Sequence, residues 1–193
     1  MQDVVVVVGY LATDVAASVQ GDKSVTAVTN YLYEGNGSIS SLAAAHDHLS
    51  NDVIILNSDL VYERQMLEAL LSTGCNLALV VSRTRARQRD VHLQLRGRRV
   101  MDAGKHILAG ESDAVFCGAG LVREAELARF THTLEQTTAL GMRTGWSRVF
   151  RRMAAEGTEV RAVDYDGPWW NTNSVRDYVA AQHWVGADSW THL

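Results

Sequence analysis

Lysine is nearly missing from this chain: Lys23 and Lys105 stand against sixteen arginines in 193 residues. Proline is scarcer still, with Pro168 alone. The two cysteines, Cys75 and Cys117, lie in or beside apolar segments. They are too few for a disulfide framework or a cysteine-rich metal cluster, and a reducing cytoplasm is the expected compartment. No apolar run approaches the ~20 residues of a membrane span. The opening MQDVVVVVGY has neither the length nor the basic flank of a secretory leader. A formal net charge of −4 argues against a general nucleic-acid binder. Repeats, low-complexity tracts and linkers are all absent. With 47% apolar and 21% charged residues, the sequence is read as one globular domain spanning 1–193.

What is present is an alternation of strands and helices. Val4–Val8 is a continuous β-branched run, as expected for a strand covered on both faces. Similar unalternating runs at Val25–Thr29, Val53–Leu56 and Asn76–Ser82 predict further buried strands of the same sheet. Helices are predicted over Thr13–Val19, Ser40–Leu49 and Glu63–Ser72. From Arg83 to Met101 polar, arginine-rich alternation predicts an inserted hairpin. A strand at Ala114–Val122, helices at Arg123–Thr138 and Trp146–Glu156, and a strand at Val160–Val163 complete the pattern. The class is α/β, with a mostly parallel mixed sheet flanked by helices.

The segment GPWWNTNSVRDYVAAQHW sets two tryptophans beside two amides just past the only proline. Read plainly it is a strand end, a turn and a helix capped by Asn173 or Ser174, with Val175, Tyr178, Val179 and Gln182 near one face. In open α/β sheets ligands bind beyond the carboxyl ends of the strands. VIILNSDLVYE puts Asp59 there, where a carboxylate can hold a hard cation such as Mg2+ with phosphate oxygens. Lys105 is a compact charge suited to phosphate, although a turn lysine is often simply solvated. Arg83, Arg85, Arg87 and Arg89 would share one face of an extended segment, most simply a solvated one. GNGSISSL lacks the spacing and the lysine of a Walker loop. His46 and His48 stand two apart and would diverge on a helix, so no metal site is read there. No Gly-x-Ser-x-Gly elbow occurs.

Taken in order, VVVVVGY, TNYLYEGNGSISSLAAAHDHL, VIILNSDLVYE, RRVMDAGKHI, AVFCGAGLV and WWNTNSVRDYVAAQ resemble the sugar-phosphate and choline-phosphate nucleotidyltransferases, including their molybdenum-cofactor guanylyltransferase-like branch. The resemblance runs from Val4 to about Trp184. It implies a Rossmann-like nucleotidyltransferase fold and transfer of a nucleotidyl group from an NTP to a small phosphorylated or phosphonate acceptor. CTP is the first choice because the tryptophan-rich end looks closest to the choline-phosphate branch. It also implies that Asp59 and Asn173 hold Mg2+, Lys105 neutralises a phosphate oxygen, Asn36 and Ser41 help orient ligand, and Trp170 walls the acceptor site. The family's carboxylates at the last segment are here Asn171 and Asn173, and an amide oxygen can still coordinate a hard cation. The family's first strand and its Gly-x-Gly-x-Arg triphosphate loop have no counterpart in the chain, so the domain is expected to be N-terminally incomplete relative to the family. The implied partners are the NTP and the acceptor, with no nucleic acid and no membrane, and a homo-oligomer is left open. Two other classes compete. One is a non-catalytic nucleotidyltransferase-like subunit. The other is a nucleotide-sugar glycosyltransferase, for which NSDLV offers one carboxylate where an Asp-x-Asp pair is wanted.

Overall fold

The computed structural model describes residues 3–84, 90–141 and 143–187. In chain order its first elements are β1 (Val4–Val8), α1 (Ala12–Val19), β2 (Val25–Thr29), α2 (Ser38–Ala44), β3 (Val53–Leu56), β4 (Leu60–Tyr62), α3 (Arg64–Leu71) and β5 (Leu77–Ser82). There follow β6 (His92–Arg96), β7 (Arg99–Gly104), β8 (Ala114–Val122), α4 (Glu124–Ala139), α5 (Ser147–Ala155), β9 (Arg161–Asp164), β10 (Trp169–Asn171) and α6 (Val175–Ala187). The chain divides into two compact units, Met1–Val53 with Arg123–Thr158, and Ile54–Val122 with Glu159–Leu193.

In the first unit the valine run forms β1, as its β-branched side chains favour. β1 pairs in parallel with β2, Val4 opposite Val25 through Val8 opposite Thr29, and the two make a sheet of their own. The expectation that both belong to one sheet with β3 and β5 is therefore corrected. So is full burial of β1, since Val4 is 47% exposed. A β-branched run reports extended backbone, not the number of its neighbours. α2 ends at Ala44, short of the predicted Leu49, and a single 3-10 turn over His46–His48 follows. Phe130, Leu134, Val149, Phe150 and Met153 are buried on α4 and α5, and Phe130 and Trp146 meet Phe150 edge-on. Asp52 starts α4: its carboxylate accepts from the Glu124 N–H (2.9 Å) and from Arg123 Nη1 (2.7 Å). Those bonds, the Glu124 N–H foremost, hold the Asp52 carboxyl below its ordinary value.

The second unit carries a six-stranded sheet in the order β3-β8-β5-β9-β7-β6, with β6 also pairing the start of β8. β5 runs parallel to β9 and antiparallel to β8, and the β6–β7 hairpin is antiparallel. The sheet is mixed, as the sequence implied, with a larger antiparallel share. β3 stands at the end of the order, and Leu56 is partly exposed, so the strand read as buried is an edge. β4 and β10 form a short antiparallel pair. Leu60, Met66, Leu70, Ala78, Val80, Leu121, Tyr165 and Trp169 pack into one apolar core. Burial, helped by the charge of Glu63, pushes the Tyr165 hydroxyl up to about 12. No helix of the described residues is long and apolar enough to cross a membrane.

Candidate functional site

Asp59 lies in the short turn between β3 and β4, after Asn57 and Ser58 and immediately before Leu60. β10 lies antiparallel to β4, with Asn171 opposite Leu60 and Trp170 opposite Val61. That pairing delivers the WWNTN segment to Asp59. The Thr172 N–H donates to the Asp59 carbonyl at 2.8 Å, and Thr172 Oγ1 donates to the same oxygen at 3.1 Å. Asn173 comes next, exposed, its N–H given to the Asn171 carbonyl at 2.9 Å. Asp59 and Asn173, far apart in sequence, are thus backbone neighbours. Trp169 turns into the core, while Trp170 stacks on Trp184 of α6 with ring centroids 4.5 Å apart. Trp170, Arg176, Asp177 and Ala180 line a hollow of about 500 Å³. Ser174 caps α6, accepting from the Asp177 N–H at 3.2 Å.

A second set of residues, which sequence reading missed, sits beside this. Within β8 the pairing with β5 jumps from Gly120 to Phe116 while β5 advances only from Leu79 to Val81, so β8 bulges around Gly118. Gly118 has φ +101°, a conformation costly for any residue with a Cβ. Its carbonyl accepts the Asn57 N–H at 2.8 Å. A Cβ there would meet Asn57 Nδ2 at 3.0 Å and Asn171 Oδ1 at 3.2 Å. The hollow left by the missing side chain is filled by two amides, and among the described residues buried Asn171 Oδ1 has no hydrogen-bond partner. The sequence signal was available: a glycine inside an otherwise apolar strand marks a bulge or a close approach.

Lys105 is exposed in the turn after β7, between Asp102 and His106, whose side chains meet at 2.9 Å. No hydrogen bond or ion pair among the described residues joins Lys105 to Asp59 or Asn173. Asn36 and Ser41 belong to the first unit. There the Ser41 hydroxyl accepts from buried Asn30 Nδ2 (3.1 Å), which also bonds Ser40 Oγ (2.9 Å), so Ser41 has a structural task. The Asn36 carbonyl accepts the Thr144 N–H at 3.4 Å. Arg83 is paired with Asp164 at 2.6 Å, while Arg85, Arg87 and Arg89 lie outside the described residues. Val175, Tyr178 and Val179, the apolar face of α6, are exposed (80%, 54% and 43%), and Ala181 is the residue that packs inward. Among the described residues no three His, Cys, Asp or Glu side chains gather as metal ligands. One carboxylate with amide oxygens is nonetheless a donor set that suits Mg2+, which keeps waters and takes substrate phosphates as further ligands.

The architecture is that of the nucleotidyltransferases. Among solved structures the chain is similar to the inositol-1-phosphate CTP transferase from T. maritima, at 16% identity over 92% of this chain and 74% of that one, with a TM-score of 0.76. It is similar to the CTP:phosphocholine cytidylyltransferase from Streptococcus pneumoniae, at 16% identity over 94% and 77% of the two chains, with a TM-score of 0.73. A Bacillus anthracis protein described as a glucose-1-phosphate thymidylyltransferase gives 11% identity over 95% and 76%, with a TM-score of 0.74. At these identities the likeness is one of fold. No protein-family model matches the chain, and no curated protein sequence matches it.

Proposed function

We propose that the chain is a Mg2+-dependent nucleotidyltransferase, passing a nucleotidyl group, CMP first, from an NTP to a small phosphorylated or phosphonate acceptor with release of pyrophosphate. The observation that carries this reading is the β4–β10 pairing, which sets the Asp59 carbonyl against Thr172 and so brings Asp59 beside Asn173. The fold likeness to two CTP-using transferases agrees with it. In the reaction an acceptor phosphate oxygen attacks the α-phosphorus and the bond to the β-phosphate oxygen breaks. Such transfers depend on positioning and charge neutralisation more than on covalent help. Mg2+, when bound, neutralises phosphate charge and orients the α-phosphate. Asp59 and Asn173 would hold it, and Lys105 would meet an oxygen of the transferring group. Trp170 would wall the acceptor site. The reaction would take place in the cytoplasm, a compartment that a chain with only two cysteines, neither paired in a disulfide, suits.

Pyrophosphate release, measured across five NTPs at high concentration with phosphorylated acceptors, tests the reading. Release should require both Mg2+ and acceptor. Asp59→Asn should lower it at least about a hundredfold, in line with loss of a charge-stabilising group, and leave the unfolding temperature unchanged. Equal activity in the variant would remove Asp59 from the site. A second reading, a non-catalytic subunit of this fold, is favoured by the neutral amides Asn171 and Asn173 at the second metal position. Absence of release with every NTP and acceptor would select it.

A further inference from the structure

We infer that His106 is a positioning residue for Lys105: by occupying the Asp102 carboxylate it keeps the lysine from pairing within its own turn and leaves that charge for a phosphate. The inference deepens the proposed transfer and rests on it for the identity of the phosphate. Lys105 stands exposed in the turn that follows β7, three residues after Asp102. A lysine is a compact charge on a flexible four-carbon stem, and a carboxylate so near in the chain competes with any ligand anion for it. Opposite charges at such range attract even in water. Yet Lys105 makes no hydrogen bond or ion pair among the described residues.

The reason lies in how Asp102 is used. Its Oδ1 accepts the Ala103 N–H at 2.8 Å, and its Oδ2 meets His106 Nε2 at 2.9 Å. A carboxylate only accepts, so Nε2 is the donor. Both oxygens are thus engaged by residues flanking Lys105 in the chain. The imidazole reaches Asp102 by folding back over Gly104. A Cβ at Gly104 would lie 2.3 Å from His106 Nδ1 and 2.5 Å from Cε1, so no side chain can stand there with the ring in place. Ile107, the next residue, is 5% exposed and fixes the chain where the turn ends. The carboxylate nearest to the lysine in sequence is therefore already taken.

The chain's two lysines make the test direct, because Lys23 serves as an internal reference. Acylation proceeds through the neutral amine, and a paired carboxylate stabilises the charged form. The full chain is treated with a limiting amount of an amine-acylating reagent, and labelling of Lys105 is read against Lys23 by peptide mass spectrometry. His106→Ala should lower that ratio about threefold, the value of one exposed ion pair. Gly104→Ala, which keeps the imidazole but displaces it from Asp102, should do the same. His106→Gln, which keeps an N–H donor, should stay at the wild-type ratio. Asp102→Asn added to His106→Ala should restore it, an outcome that mere loss of turn structure cannot produce. An unchanged ratio in His106→Ala would overturn the inference, and so would failure of Asp102→Asn to restore it. Pyrophosphate release is a separate readout, expected to fall in His106→Ala and to recover in the double variant. Release that persists in Lys105→Met while labelling follows the expected order would remove Lys105 from the reaction and leave its shielding by His106 standing.

Discussion

His92 lies on β6 opposite Gly104 and Val115, 2% exposed, and its Nδ1 has no hydrogen-bond partner among the described residues. Burying a polar atom unpaired costs roughly 1–3 kcal/mol. His92→Leu removes that atom at similar size, and the variant should gain about 1 kcal/mol, read as a higher urea midpoint at unchanged slope. Tyr165 makes the opposite case, a polar group whose burial depends on staying neutral. Its hydroxyl is pushed up to about 12 from 10.0, chiefly by burial. A raised folded-state value means that the native protein keeps this proton longer than the unfolded chain does. The associated stability is therefore complete below pH 10 and lost as pH climbs from there toward 12. Alkaline unfolding of wild type should steepen across that window, and Tyr165→Phe should flatten it. A superimposable pair of curves would refute the assignment.

At the scale of elements, the end of β10 and the start of α6 decide where the aromatic and amide side chains stand. Ser174 accepts the Asp177 N–H while its own hydroxyl donates to the Asp177 carboxylate at 2.7 Å, closing the first turn of α6. Ser174→Ala should cost about 1 kcal/mol. Amide hydrogen exchange should quicken first at residues 175–178, because the loss is local. This cap was legible in NTNS, as were β8 to the residue and α3, α4, α5 and β5 to within one, since caps and hydrophobic period are local signals. Partners were not. That the valines of β1 would meet only β2, that β3 would stand at an edge, and that Asp52 would cap α4 from 72 residues away depend on tertiary placement, which no local pattern encodes. The same division runs through the candidate site. Asp59 could be picked out because an apolar strand runs into it. The inward turn of Asn171 could not, because both asparagines of NTN look alike until β10 pairs with β4 and fixes the alternation.

For the molecule as a whole, the 193 residues hold no Gly-x-Gly-x-Arg and two lysines. A triphosphate needs several matched charges, and under the proposed reading Lys105 and a metal site short of one carboxylate would have to carry that load. Titration of this chain with CTP, GTP, UTP, ATP and dTTP in Mg2+ should therefore show weak binding throughout. Micromolar affinity for any of them would point to another cationic cradle. The division of the chain has its own bearing on synthesis. The first unit is interrupted: Met1–Val53 must wait for Arg123–Thr158, and everything from Ile54 to Val122 is made in between. A ribosome delivers residues in order, so β1, five valines long, emerges well before α4 and α5 exist to complete its unit. An apolar strand left waiting is the kind of segment chaperones bind. Closing so long a loop is also slow. Synthesis speed across the Ile54–Val122 stretch, more than the final stability of either unit, should govern how much of this protein reaches its native state in a cell.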